Sequence, residues 1–165
     1  MFSAKEVLDL AIRLEKNGEA IYRGAVEKLS DPNLSLLLEW MANEEAKHAL
    51  CFSKMQRRLI LEQSAPIVDP IADEMGRKLF DDLMAGQSFS LEDVDLSRIE
   101  HVDAMIATFI EFEKDTILFY QMLEAFVQDP SALRELKQVI AEEERHVKEL
   151  TTLLHRSPPE VYGSR

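Results

Sequence analysis

The sequence predicts an all-α protein built as a four-helix bundle, and three observations carry that expectation. Hydrophobic residues make up 46% of the 165 positions and charged residues 30%, a mixture suited to amphipathic helices. Only five glycines and six prolines occur, which leaves little material for the tight turns of an all-β fold. Apolar residues also recur at helical spacing over long stretches that are separated by short polar breaks. A chain of this length fits one domain and buries a core without disulfides.

The elements follow in order. Ser3 can cap a first helix with Glu6 three residues on, and Val7, Leu8, Leu10, Ala11, Leu14, Ile21 and Tyr22 continue it to about Leu29. Ser30, Asp31, Pro32 and Asn33 form a break. Leu34, Leu37, Leu38, Met41, Ala42, Glu45, His48, Phe52 and Met55 then line one side of a second helix, which ends near Leu61. Gln63 to Pro70 reads as a connection, followed by a short helix from about Ile71 to Ala85 and a Gly86 stop. A third long helix runs from Leu96 or Ser97 to Val127, a break follows at Gln128 to Ser131, and a fourth helix runs from Ala132 to about His155. The bundle thus occupies residues 1–156, with a loose tail over 157–165. Two helical hairpins joined by a long connection suit the bundle variant that has one long crossover.

Composition also excludes functions. The net charge of −12 argues against nucleic-acid binding, which needs a basic face to neutralise phosphate. Cys51 is the only cysteine, so neither an intrachain disulfide nor a four-cysteine metal site can form, and a reducing compartment fits. The first residues lack a signal-peptide profile and no apolar run reaches membrane-spanning length, so the expected location is the cytoplasm.

The most informative feature is an internal duplication with a constant offset of 98 residues and no gaps. Ile12, Glu15, Lys16, Tyr22, Asp31, Pro32, Leu38, Glu44, Glu45 and His48 match Ile110, Glu113, Lys114, Tyr120, Asp129, Pro130, Leu136, Glu142, Glu143 and His146. A repeat kept for packing alone should match best in its leucines. Here Glu, Tyr and His recur while apolar positions vary, which favours a shared site.

Glu45 and His48 stand three residues apart and so project from one helix face, and Glu143 with His146 repeats the pair. Glu15 and Glu113 lie mid-helix among apolar neighbours, where a lone carboxylate is costly to bury and a cation removes the cost. One Glu from each of two helices plus Glu-x-x-His from each of the other two is the ligand pattern of di-iron carboxylate bundles. Four carboxylates and two neutral imidazoles balance two divalent ions. Oxygen and nitrogen ligands without thiolate suit iron or manganese, and zinc also accepts them. Tyr22 and Tyr120 follow Glu15 and Glu113 by seven residues, placing each phenol where it can hydrogen-bond a ligand carboxylate; both are candidate catalytic residues. Glu44, Glu142 and Glu144 are expected to face solvent, since adjacent helical residues are about 100° apart. His101 and His155 read as ordinary helix residues, Cys51 as a small buried hydrophobe.

Together Leu14-Glu15-Lys16 with Tyr22, Glu44-Glu45-Ala46-Lys47-His48, Phe112-Glu113-Lys114 with Tyr120, and Glu142-Glu143-Glu144-Arg145-His146 resemble the rubrerythrin-like members of the ferritin-like superfamily. The resemblance spans Ala11 to Met55 and Phe109 to Leu153. It implies that Glu15 and Glu113 are terminal ligands, that Glu45 and Glu143 bridge the two metals, and that His48 and His146 bind one metal each. Two departures stand out. Classical rubrerythrins carry a four-cysteine rubredoxin domain that delivers electrons, for which this chain has neither the cysteines nor the length, so its donor must be a separate molecule. Classical members also place a further ligand carboxylate on the third helix, where Thr116 stands here, which brings the set closer to bacterioferritin-type centres.

The resemblance implies an oxidoreductase in which a di-iron centre reduces peroxide or dioxygen with electrons from an external donor. The alternatives are ferrous-iron oxidation for storage or detoxification, and a metal-free helical association module. Long amphipathic helices make a homo-oligomer, at least a dimer, the expected assembly.

Overall fold

The computed structural model describes residues 4–61, 101–124, 127 and 129–156. Among them stand four helices: α1 (Ala4–Val26), α2 (Pro32–Leu61), α3 (Val102–Leu123) and α4 (Pro130–Arg156). The Ser3 cap, the short helix expected over Ile71–Ala85 and the tail from Ser157 lie outside the described residues. The third helix does not run unbroken from Leu96 or Ser97 as expected: His101 is extended backbone and is the N-cap of α3, which begins at Val102.

Both Asp-Pro pairs belong to helices rather than to breaks. Asp31 accepts hydrogen bonds from the backbone N–H groups of Asn33 (2.8 Å) and Leu34 (3.2 Å), and Asp129 accepts one from Ala132 (2.7 Å). Each aspartate is thus an N-cap with proline at the first helical position, where a missing N–H costs nothing and the fixed φ already suits a helix. Helices α2 and α4 therefore begin two residues earlier than the expected Leu34 and Ala132. Two expected ends also move inward. α1 stops at Val26, and Lys28 and Leu29 close a turn onto the carbonyls of Ala25 and Val26. α3 stops at Leu123 instead of Val127, with Glu124 as its C-cap. Asp31→Ala and Asp129→Ala should each lower stability by about 1 kcal/mol in denaturant unfolding.

Cross-helix contacts fix the directions. Gln56 bonds Asp9 while Arg23 reaches Asn43, so α1 and α2 are antiparallel. Tyr22 meets Glu113 and Tyr120 meets Glu15, so α1 and α3 are antiparallel as well. His48 meets Glu142 while Arg58 meets Glu135, which sets α2 against α4 in the same sense. It follows that α2 and α3 run the same way, and that Leu61 and Val102 stand at opposite ends of the bundle. That is the topology of a bundle with one long crossover.

The core divides into two apolar clusters. One, toward the start of α1, packs Val7, Leu8, Phe52, Met55, Phe119, Leu123 and Leu136. The other, toward the end of α1, packs Ala25, Leu34, Leu38, Met41, Ile106, Phe109 and Leu150. Between them lies a polar layer. No helix among the described residues is long and apolar enough to cross a membrane.

Candidate metal centre

The polar layer consists of the six residues singled out from the duplication. Glu15, Glu45, His48, Glu113, Glu143 and His146 are each at most 2% exposed, a burial that carboxylates reach only when something compensates their charge. They form two sets. Glu15, Glu45, His48 and Glu143 make one, Glu45, Glu113, Glu143 and His146 the other, and the ligand atoms within each set lie within 4.8 Å of one another.

Glu45 and Glu143 belong to both sets, and each divides its oxygens between them. Glu143 places Oε1 2.7 Å from His48 Nδ1 and Oε2 2.8 Å from His146 Nδ1. Glu45 places Oε2 3.9 Å from His48 Nδ1 and Oε1 3.3 Å from His146 Nδ1. Glu15 and Glu113 flank the pair. Their Oε2 atoms lie 3.5 Å from His48 Nδ1 and 3.7 Å from His146 Nδ1 respectively.

The tyrosines hold these flanking carboxylates crosswise. Tyr22 donates to Glu113 Oε1 and Tyr120 donates to Glu15 Oε1, so each phenol serves the glutamate of the other half of the repeat. Burial, reinforced by the facing carboxylates, pushes both phenols well above their ordinary range and keeps them as donors. The remaining oxygens of Glu15 and Glu113 have no hydrogen-bond partner. Neither do Glu45 Oε1, both oxygens of Glu143, or the Nδ1 atoms of His48 and His146, all of them buried. These seven atoms of metal-ligating type, converging from four helices, fit two cations.

Protonation in the metal-free protein follows from the same crowding. Burial pushes the Glu45 carboxyl well above its ordinary range, with Glu143, Glu15 and Glu113 adding to the effect. Burial and the Glu143 charge push Glu113 up to about 8 against the opposing pull of His146. Burial acts on Glu143 in the same direction, but His146 and His48 outweigh it and hold that carboxyl below the usual range. For the imidazoles burial favours the neutral form, yet the carboxylates prevail: His48 is pushed up to about 12 by Glu143 and Glu15, and His146 to about 10 by Glu113 and Glu143.

Other expectations need correction. Glu144 is exposed, but Glu44 is 9% exposed and pairs with Lys47, and half-buried Glu142 sets Oε2 2.7 Å from His48 Nε2. Helix rotation places these two residues at the edge of the buried face, not opposite it, and the antiparallel partner helix closes over them. Their recurrence in the duplication was the available signal. Cys51 is half-buried, not buried, and its thiol faces Glu135 at 3.9 Å. His101 and His155 are both exposed; His155 is a helix residue as expected, whereas His101 is the extended N-cap of α3 and not a helix residue. Thr116 turns its hydroxyl back onto the Phe112 carbonyl at 3.0 Å. Gly18, its counterpart in the first half, was not anticipated: a Cβ there would meet Phe112 Cε1 at 3.3 Å and Glu45 Cγ at 3.4 Å. The bare backbone lets α1 close against the stem of Glu45.

Fold and polar layer together define a ferritin-like four-helix bundle with a carboxylate and imidazole cluster at its centre. The sequence matches the profile of the rubrerythrin family over residues 6–154, and the chain belongs to that family. It is similar in structure to a chain from Thermotoga maritima described as a ferritin-like diiron-carboxylate protein, with a TM-score of 0.68 and 21% sequence identity, covering 95% of this chain and 97% of that one. No curated protein sequence matches.

Proposed function

We propose that the chain is a di-iron oxidoreductase that reduces peroxide or dioxygen with electrons from a separate donor. The observation that carries this reading is the division of the Glu45 and Glu143 oxygens between two ligand sets, each completed by one glutamate and one imidazole. Glu15, Glu45, His48 and Glu143 would hold one metal, Glu45, Glu113, Glu143 and His146 the other. Two ferrous ions bound there supply one electron each and Lewis acidity, matching the two electrons and two protons that turn hydrogen peroxide into two waters.

The protein's own part is to keep the donor atoms in place and dry. Tyr22 and Tyr120 fix one oxygen of Glu113 and Glu15 and leave the second for a metal. The two apolar clusters close the layer from either end and lower the local dielectric, which strengthens every charge interaction inside. A metal-free association module has no use for four buried glutamates in contact, so this reading is preferred over it.

The test is stopped-flow mixing of anaerobically iron-loaded protein with hydrogen peroxide and, separately, with dioxygen. Oxidation by peroxide well above both the dioxygen rate and that of a Glu45→Ala variant is expected. Rapid oxidation by dioxygen alone, with iron continuing to accumulate beyond two per chain, would instead establish ferrous-iron oxidation for storage.

Metal uptake must also displace protons, because His48, His146, Glu45 and Glu113 all retain them more tightly than usual in the metal-free protein. Filling both positions should release on the order of two to four protons at pH 7. Apparent affinity should therefore rise with pH, continuing through the value of about 8 to which Glu113 is pushed. Calorimetric titration in two buffers of different ionisation enthalpy measures the release directly. Equal heats in both buffers would contradict it.

A further inference from the structure

The duplication makes the two ligand sets equivalent in type, but their surroundings are not equivalent. His48 Nε2 lies 2.7 Å from Glu142 Oε2, so with Nδ1 turned to the ligand cluster its other nitrogen has a carboxylate acceptor. His146 has none. Its Nε2 is buried without a hydrogen-bond partner, and its ring instead packs at right angles to Trp40, 5.1 Å between centroids.

The cause can be read from residues that correspond at the offset of 98. Gln138 donates to Glu142 at 3.2 Å and steadies it beside His48, whereas its counterpart is Trp40, whose ring packs against His146 instead. Lys47 draws the Glu44 carboxylate to itself at 2.5 Å. Its counterpart Arg145 lies over the Trp40 ring instead, 4.4 Å from the centroid, and leaves Glu142 free for His48. A Gln-to-Trp difference and its arginine partner thus break the symmetry at one imidazole only.

We infer that the two metal positions differ in affinity, that the His48 position is the tighter and fills first, and that Glu142 is the positioning residue responsible. The inference rests on the di-metal reading above. An acceptor on the outer nitrogen fixes the tautomer and ring orientation of a ligating histidine and raises its basicity, and loss of such a partner typically costs about 10–100-fold in metal affinity. His146, held by ring packing alone, gains none of this, so its metal is the more exchangeable of the two.

The experiment is anaerobic calorimetric titration of the metal-free protein with cobalt(II), followed in parallel by visible absorption, with circular dichroism confirming that each variant is folded. The wild-type chain is expected to take up two ions in two steps separated by about tenfold or more. Glu142→Ala should weaken the tighter step by about 10–100-fold and leave the weaker one in place, bringing the two together. Glu142→Gln, whose amide oxygen can still accept from Nε2, should retain part of the difference. Glu44→Ala, which removes a neighbouring carboxylate that lies within 4.8 Å of His48 and Glu142 but is held by Lys47 and makes no hydrogen bond to His48, should move neither step. Two ions of equal affinity in the wild type, or equal weakening of both steps by Glu142→Ala, would overturn the inference and leave the di-metal reading intact. Absence of cobalt uptake by the folded wild-type chain would overturn both.

Discussion

Glu143→Ala protein, loaded anaerobically with ferrous iron, is expected to retain almost no metal, whereas His48→Ala should keep about one ion per chain. Glu143 stands in both ligand sets and gives one oxygen to each, so its removal takes a donor from both positions at once. It is also the carboxyl that His48 and His146 jointly hold ionised, and without it both imidazoles lose the carboxylate nearest their Nδ1 atoms. His48 stands in one set only. Metal analysis after desalting separates the cases. If the Glu143→Ala protein is folded and still carries two irons, the shared carboxylate is not a ligand. Glu45→Ala should behave like Glu143→Ala, and a difference between them would show that the two shared carboxylates do not contribute equally.

The second large effect is on stability. Metal-free protein buries four carboxyl groups against one another, and burial with the neighbouring charges pushes Glu113 up to about 8 and Glu45 well above its ordinary range. Ligands that bind only the folded state add about 4 kcal/mol each when present at a thousandfold excess over Kd. At about 2–4 °C per kcal/mol for a chain of this size, two ions should raise Tm on the order of 15–30 °C. Thermal unfolding with and without metal measures the gap. The sign with pH is fixed as well. A carboxyl whose folded pKa is raised holds its proton longer in the folded state than in the unfolded one. The metal-free protein therefore loses stability as pH climbs from the ordinary carboxyl range through about 8 at Glu113. Glu113→Gln keeps an acceptor for Tyr22 and carries no charge to bury, so it should flatten that decline and shrink the metal-dependent gap.

The six central residues were legible because their chemistry repeats at fixed spacing. A glutamate three residues before a histidine on one helix is weak by itself, yet the same pair at a constant offset, each with an upstream Glu and Tyr, leaves few other readings. Helix ends were less legible. Asp31 and Asp129 looked like parts of breaks, since aspartate and proline serve turns as readily as helix starts, and only the hydrogen bonds to Leu34 and Ala132 decide. The surroundings of the cluster were the least legible. Gly18 against Glu45, Trp40 against His146 and Glu142 against His48 are all contacts between helices, and spacing along one helix does not determine which side chain of a neighbour arrives opposite. The tyrosines fall between these cases. Their spacing pointed to a carboxylate, and the antiparallel setting of α1 and α3 determines that each serves the opposite half.

That crosswise arrangement has a bearing on descent. Either hairpin taken alone would hold a phenol with no acceptor and a carboxylate with no donor, so each inherited copy depends on its sibling for a chemically complete interior. After the two copies were joined in one chain, their leucines were free to diverge, because a core tolerates many apolar substitutions that conserve volume. Tyr22, Glu113, Tyr120 and Glu15 had no such freedom: a change in one copy would strand its counterpart in the other. Among the portions of the repeat that still read alike, these four are the ones in which the two halves answer to each other and not to themselves.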